Sequence, residues 1–177
     1  MKTTQILIAG FGGQGILFAG KFLAYKGLTE DLQVSWLPSY GPEMRGGTAN
    51  CSVILSDTPV GSPIITNPDV LVAMNLPSLQ RYVDSVVAGG QVYVDSSLVD
   101  VKVERTDVEV FYIPATALAK EAGVSTLANM IMMGHLLAHH PELSFEGTEA
   151  VVEKLVPPTK AALVELNLKA LSAGRDF

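Results

Sequence analysis

The chain has 177 residues, a net charge of −6, 48% hydrophobic and 17% charged residues, and a mean hydropathy of +0.32. The length fits one domain of roughly 100–200 residues, and the acidic charge argues against nucleic-acid binding through a basic surface. The sequence has no run of about 18 apolar residues, so no membrane span is predicted. Its start has no signal-peptide cleavage pattern. We expect a cytoplasmic protein with one domain, residues 1–177, whose low charge favours burial of part of its surface against a partner.

Cys51 is the only cysteine. An iron–sulfur cluster needs about four thiolates, so this chain is not expected to hold one alone. Cys51 lies in the apolar run 49–55, which is typical of a strand. A buried structural thiol is therefore predicted rather than a reactive one.

Short apolar runs alternate with longer amphipathic segments. The continuous run Ile6–Ala9, ended by glycine, is typical of a parallel strand buried on both faces. Further strands are predicted at 33–37, 49–56, 70–74, 91–95 and 109–113. Helices are predicted at 13–26 with Gly27 as the stop, at 78–87, from Ser125 or Thr126 to about His140, at 146–155, and from Pro157-Pro158 to about Gly174.

This alternation predicts an α/β fold, a Rossmann-like three-layer sandwich with a mostly parallel sheet and a helical C-terminal third. The predicted strand at 49–56 follows a loop too short to contain a helix. That short connection leaves a mixed sheet open.

A first glycine-rich loop follows the first strand. Gly10, Gly12 and Gly15 have the spacing G-x-G-x-x-G between a predicted strand and a predicted helix, which is the context this motif requires. Glycines allow a tight turn, and the amides and dipole at a helix start favour an anion. The loop therefore predicts a phosphate or pyrophosphate ligand, with close strand–helix packing as the alternative.

A nicotinamide site also needs Asp or Glu about 20 residues further on, where it holds the ribose hydroxyls. Ser35 occupies that place. Glu30 and Asp31 precede the second strand, at its amino end, whereas the ribose-binding carboxylate lies at the carboxyl end. The sequence therefore argues against NAD.

A second loop runs from Ser39 to Asn50 and contains Tyr40, Glu43 and Arg45. It follows the second strand, near the carboxyl edge of the sheet where open α/β folds bind ligands. Arg45 can hold a phosphate or carboxylate through two parallel hydrogen bonds, and Glu43 can pair with Arg45 or orient a partner group. The alternative is a surface loop with a local Glu–Arg pair.

Other candidates carry weaker signals. His135 and His139 have a spacing that can bind a metal, but no third ligand is evident, so helix-surface histidines and no metal site are predicted. Asn129 is expected to bond backbone or to face a subunit interface. Ser96 and Ser97 follow a strand end without a paired base. The remaining prediction is core packing for Met130, Met132 and Met133, and no catalytic residue is predicted.

The two loops together resemble those of the gamma subunit of 2-oxoacid:ferredoxin oxidoreductases. The resemblance rests on Gly10-Phe11-Gly12-Gly13-Gln14-Gly15 and on Ser39-Tyr40-Gly41-Pro42-Glu43-Met44-Arg45-Gly46-Gly47-Thr48-Ala49. Further matches reach the C-terminus and include Asn67-Pro68-Asp69, Asn129-Met130 with Gly134, and Asn167 with Gly174.

This resemblance implies a subunit of a complex that converts a 2-oxoacid to acyl-coenzyme A and passes electrons to ferredoxin. Thiamine diphosphate, magnesium and iron–sulfur clusters are then expected on alpha-, beta- and delta-type partner subunits. For this chain it implies coenzyme A contacts at Gly12, Gly13, Gln14, Gly15 and Arg45, with Tyr40 and Glu43 as lining residues. The alternatives are a stand-alone nucleotide-dependent oxidoreductase and a purely structural scaffold. The sequence does not identify the 2-oxoacid.

Overall fold

The computed structural model describes residues 2–39 and 48–177. Within them, six strands form one sheet in the order β2-β3-β1-β4-β5-β6. The strands are β1 Thr3–Phe11, β2 Gln33–Ser39, β3 Thr48–Ser56, β4 Val70–Ala73, β5 Gln91–Asp95 and β6 Glu109–Ile113. β3 pairs antiparallel with β1 and β2, whereas β1, β4, β5 and β6 pair in parallel. The predicted, mostly parallel sheet is confirmed, and it is mixed because the eight residues between β2 and β3 are fewer than a parallel crossover needs.

Helices cover both faces of the sheet. They are α1 Ile16–Thr29, α2 Leu76–Tyr82, α3 Ala115–Glu121, α4 Ala128–His139, α5 Thr148–Leu155 and α6 Ala162–Arg175, with 3₁₀ turns at Val83–Ser85 and Pro158–Lys160. Successive β1 residues point to opposite faces: Ile6 and Ile8 join the larger core under α1 and α4, whereas Leu7 joins the smaller core with Leu79 of α2. The three-layer α/β sandwich and the helical C-terminal third are confirmed.

The predicted end of the first helix is wrong. α1 continues to Thr29, so Gly27 lies inside it. A Cβ atom at Gly27 would be 2.6 Å from Leu55 Cδ2, which shows that this glycine allows the helix to approach β3. The chain leaves the helix at Asp31, which has a φ of 58°.

Other helix starts also differ from prediction: α1 begins at Ile16 rather than at residue 13, and α6 begins at Ala162, after the 3₁₀ turn that follows Pro157. α4 begins at Ala128 with Leu127 at the N-cap position, so neither Ser125 nor Thr126 caps it. α2 begins at Leu76, earlier than predicted, because Asn75 caps it by accepting a 2.8 Å hydrogen bond from the Ser78 amide. The seven-residue α3 was not predicted; a segment of this length has too few turns for a periodic signal.

The prediction of a surface position for both histidines is wrong for His135. His135 is 5% exposed, and its Nδ1 lies 3.2 Å from the carbonyl oxygen of Gly174, whereas His139 is exposed. α4 is buried from Asn129 to Leu137 because it lies between the sheet and α6, so its sequence lacks the polar face of a surface helix. The prediction that Met130, Met132 and Met133 pack in the core is confirmed.

The prediction for Cys51 is confirmed. Its side chain is fully buried, and burial raises its pKa to about 12. A Cβ atom at Gly20 of α1 would lie 2.1 Å from Cys51 Sγ. The thiol therefore fills the space that this glycine leaves between α1 and β3.

Burial lowers the pKa of both His135 and His140. In the unfolded chain both imidazoles titrate near about 6.5. Around and below that pH the unfolded state binds more protons than the folded state, so the free energy of unfolding decreases as the pH decreases. We expect the urea midpoint to drop between about pH 7.5 and about pH 5.5, above the range where carboxylates titrate. The His140→Asn variant should show a shallower drop, and an identical pH profile for the variant would contradict this assignment.

Candidate functional site

The glycine loop lies where chain connections diverge. β1 and β4 are adjacent and parallel, but β1 leads through α1 towards β2 at one edge, and β4 leads through α2 towards β5 on the other side. The two helices pack on opposite faces of the sheet. Such a divergence leaves a crevice at the carboxyl ends of the strands, which is the usual ligand site of open α/β sheets.

The loop has a backbone that only glycine adopts readily. Gly13 has a φ of 94° and Gly15, the residue at the N-cap of α1, has a φ of 72°. A Cβ atom at Gly13 would find nothing within 4 Å, so this residue borders open space. The combination of left-handed backbone and open space is typical of a loop whose amides face a ligand.

The N-terminus of α1 has amide donors that lack a partner within their own helix. The first helical hydrogen bond runs from the Ala19 amide to the Gly15 carbonyl oxygen at 3.0 Å. The amides of Ile16, Leu17 and Phe18 therefore precede the first bonded turn and have no acceptor within the helix. Together with the helix dipole they favour an anion.

A cleft of about 270 Å³ lies beside this helix end. Its described lining comprises Phe11, Gly12, Gly13, Gly15, Ile16, Leu17, Phe18, Ser39 and Ala49. None of these side chains is charged, so attraction for an anion within the described lining comes from backbone amides. A cation would have to come from elsewhere in the chain or from a partner.

Gln14 fixes the loop to the sheet. Its Oε1 accepts a 2.6 Å hydrogen bond from the Phe11 amide, and its Nε2 donates to the Met74 carbonyl oxygen at 3.0 Å. Met74 directly follows β4, so this side chain joins the carboxyl ends of β1 and β4. Both of its polar groups bond within the chain, so this side chain connects the loop to the sheet.

Asn129 contacts the loop from the other side. This side chain in the first turn of α4 is 2% exposed, and its Nδ2 donates to the Gly15 carbonyl oxygen at 3.0 Å. The prediction that Asn129 bonds backbone is thereby confirmed. Its partner is 114 residues away in sequence, and no local pattern could have identified it.

Two further buried polar groups lie just after β4. Asn75 Nδ2 and Ser78 Oγ have no hydrogen-bond partner among the described residues. Both side chains are almost fully buried. Sequence reasoning identified Ser78 only as a helix start and did not predict this polar pair.

Tyr40, Glu43 and Arg45 lie outside the described residues. The residues that flank this segment are close to the loop: Ser39 lines the cleft and pairs with Asn50 in the β2–β3 ladder. Asn50 also pairs with Ala9 of β1. The second loop therefore leaves and re-enters the sheet at the same edge as the glycine loop.

The strand order explains why a nicotinamide site does not fit. β3 lies between β1 and β2, so the end of β2 is displaced by one strand spacing, about 4.8 Å, from the position of the ribose-binding carboxylate. Glu30 is at the amino end of β2, where it pairs with the buried Lys26 and accepts from the Ser144 amide at 3.1 Å.

The other candidates have structural roles. Ser97 Oγ accepts from the Ala117 amide at 3.0 Å, and its own amide donates to Asp95 Oδ1 at 3.1 Å. His135 and His139 have ring centroids 4.2 Å apart. In the described parts of the chain, no group of three His, Cys, Asp or Glu is placed to hold a metal, and no helix is long and apolar enough to cross a membrane.

Comparison with known proteins agrees with this architecture. Residues 5–177 match the family model for pyruvate ferredoxin/flavodoxin oxidoreductase. The chain is 38% identical over 176 residues to the ketoisovalerate oxidoreductase subunit VorA of Methanothermobacter marburgensis, covering 99% of this chain. It spans only 37% of the length of that relative.

Two solved structures share the fold. One is the keto/oxoacid ferredoxin oxidoreductase gamma subunit from Geobacter sulfurreducens PCA, with a TM-score of 0.83, 30% identity, and coverage of 98% of this chain and 96% of that chain. The other is the 2-oxoglutarate:ferredoxin oxidoreductase from Magnetococcus marinus, with a TM-score of 0.87, 24% identity, and coverage of 99% of this chain and 31% of that chain. The chain belongs to the pyruvate ferredoxin/flavodoxin oxidoreductase family.

Proposed function

We propose that residues 1–177 form one gamma-type domain of a multi-subunit 2-oxoacid:ferredoxin oxidoreductase and help to bind coenzyme A. The complex would oxidatively decarboxylate a 2-oxoacid to acyl-coenzyme A and pass electrons to ferredoxin. The observation that carries the proposal is the glycine loop, which places the first amides of α1 beside a cleft at the carboxyl edge of the sheet. Support comes from the Magnetococcus marinus enzyme, which shares this fold and was solved with coenzyme A bound.

The role of this chain would be to position a co-substrate. Gly12, Gly13 and Gly15 would bind a phosphate group of coenzyme A through the loop and helix amides, while Gln14 keeps the loop in shape. Anchoring the phosphate directs the thiol towards the acyl group, which is a proximity effect. Thiamine diphosphate on a partner subunit would supply the carbon nucleophile for decarboxylation.

The second loop would complete the cradle. Arg45 is the proposed cation for the phosphate, since a guanidinium binds phosphate through two parallel hydrogen bonds. Tyr40 and Glu43 are proposed as lining residues. Their position in the sequence, between the two strand ends that border the cleft, supports this assignment.

The redox centres would be on alpha-, beta- and delta-type partners. Cys51 is a poor ligand for an iron–sulfur cluster because it is fully buried and its pKa is raised to about 12. Metal-bound cysteine is a thiolate, and burial of this kind opposes the thiolate. The second candidate is a structural scaffold with an empty loop. It predicts that a substitution in the second loop leaves the KM for coenzyme A unchanged.

The test is an assay of the chain purified with its native partners. We expect reduction of a viologen dye to require both a 2-oxoacid and coenzyme A, and a panel of 2-oxoacids will identify the substrate. The Arg45→Glu variant should raise the KM for coenzyme A about tenfold or more, because losing the cation and placing a like charge next to a phosphate together cost at least about 1.4 kcal/mol. An unchanged KM would favour the scaffold, and saturable NAD(P)H binding by the isolated chain would favour a nucleotide-dependent enzyme.

A further inference from the structure

We propose that Asn129 is the positioning residue for the glycine loop, and that it fixes the direction of the α1 amides before any ligand binds. This inference rests on the proposed function for its choice of ligand. Asn129 is a buried side chain of α4 that reaches the loop at Gly15, the residue at which the loop becomes a helix.

The contact is made at a residue with left-handed backbone. Gly15 has a φ of 72°, and its carbonyl oxygen accepts from both Ala19 N and Asn129 Nδ2, each at 3.0 Å. The two bonds orient the Gly15 peptide plane, and that plane determines where the first free amides of α1 point. Loss of Nδ2 leaves the helix bond in place but removes the only hydrogen bond that links α4 to this peptide in the described residues.

The side chain of Asn129 also leaves no space for a Cβ atom at position 15. A Cβ atom at Gly15 would lie 2.5 Å from Asn129 Nδ2 and 3.4 Å from its Oδ1. Oδ1 is buried without a hydrogen-bond partner among the described residues. A buried acceptor without a partner costs free energy. The Nδ2 bond to Gly15 is therefore the contribution that we assign to this side chain.

Asn129 is held by a rigid helix. Two residues later in α4, the Ile131 carbonyl oxygen would be 1.9 Å from a Cβ atom at Gly174 of α6. This backbone-to-backbone contact fixes the position of α4. The loop is thus held on two sides, by Gln14 towards β4 and by Asn129 towards α4, and such preorganisation lowers the ordering cost of ligand binding.

The chain provides a matched control in Asn167. This asparagine is 3% exposed, and its Nδ2 donates to the Leu163 carbonyl oxygen at 2.7 Å. Its Oδ1 has no hydrogen-bond partner among residues 2–39 and 48–177. Both Asn167 and Leu163 lie in α6, so this hydrogen bond is internal to the helix. Asn129→Leu and Asn167→Leu therefore remove equivalent buried amides, and only the first removes a contact with the loop.

In the assembled complex, we expect Asn129→Leu to raise the KM for coenzyme A about three- to tenfold, the value of one hydrogen bond. The kcat at saturating coenzyme A and the KM for the 2-oxoacid should stay within about twofold, since the lost interaction affects binding alone. Asn167→Leu should leave all three constants unchanged. Equal effects of the two variants on the coenzyme A KM would overturn the proposal.

The Asn129→Asp variant adds a pH signature. Its ionised carboxylate cannot donate to Gly15, but its protonated form can, and burial raises the pKa of such a group. The KM for coenzyme A, relative to the unsubstituted complex, should recover as the pH falls towards about 5.5, whereas Asn129→Leu should show no recovery. Recovery in both variants, or in neither, would contradict a role for the Nδ2 donor.

Amide hydrogen exchange separates this inference from the proposed function. Exchange at Gly12, Gly13 and Gly15 should be faster in Asn129→Leu than in Asn167→Leu, whatever the ligand. If the unsubstituted complex turns over without coenzyme A, the proposed function fails and the exchange result alone decides the role of Asn129. If coenzyme A is required but loop exchange is the same in both variants, the proposed function stands and the positioning role is overturned.

Discussion

Gly134→Ala should destabilise the protein by about 3 kcal/mol or more, at the upper end of the range for overpacking. Helix propensity predicts the opposite sign, because alanine is favoured over glycine in a helix interior by about 1 kcal/mol. The packing dominates because a Cβ atom at Gly134 would lie 1.9 Å from the Leu171 carbonyl oxygen of α6. Backbone atoms cannot move aside as a flexible side chain would, so α4 and α6 must separate.

Chemical denaturation of the purified chain would measure this loss. Gly61→Ala is the control, since a Cβ atom there has nothing within 4 Å and its effect should be within about 0.5 kcal/mol. If Gly134→Ala does not fold in buffer alone, its denaturation is measured in a stabilising osmolyte, with the natural sequence measured in the same osmolyte. A Gly134→Ala variant as stable as the natural sequence would show that α4 and α6 do not pack through this glycine.

Gly13→Asp should raise the KM for coenzyme A at least about tenfold, with the upper limit set by how far water screens the charge. A Cβ atom at Gly13 meets nothing within 4 Å, so the new carboxylate enters open space beside the loop rather than the core. Its charge would then oppose the phosphate that we propose the loop binds.

Gly13→Asn is the matched control for this charge. Asn and Asp have the same shape and tolerate the left-handed backbone better than other non-glycine residues, so the two variants share any strain from the φ of 94°. The difference in KM between them reports the charge alone, and it should shrink as salt is added. Equal KM values for both variants would place the phosphate elsewhere.

Much of the fold follows from local sequence. Apolar runs such as Ile6–Ala9 predict the buried parallel strands, and the connection too short for a helix before β3 left a mixed sheet open. The errors arise where tertiary contact overrides a local rule. Gly27 is a residue type that often ends a helix, but here it allows contact with Leu55 inside α1. His135 is a polar residue of α4, but its side chain is buried between α6 and the sheet.

The candidate site was predictable only in part. The glycine spacing indicates a strand–loop–helix turn, and the structure has that turn at the point where the strand connections diverge. Asn129, Asn75 and Ser78 give no such indication, since their relation to the loop depends on pairing between distant segments. Long-range contacts of this kind are set by topology rather than by residues close in sequence.

The central claim is that the glycine loop binds a phosphate group of coenzyme A. The most direct test compares coenzyme A with pantetheine, which carries the same thiol arm without phosphates, in the natural complex and in the Gly13→Asp complex. We predict that the natural complex prefers coenzyme A strongly in kcat/KM and that Gly13→Asp reduces this preference about tenfold or more, while kcat/KM for pantetheine changes little. An unchanged preference in the variant would contradict the account.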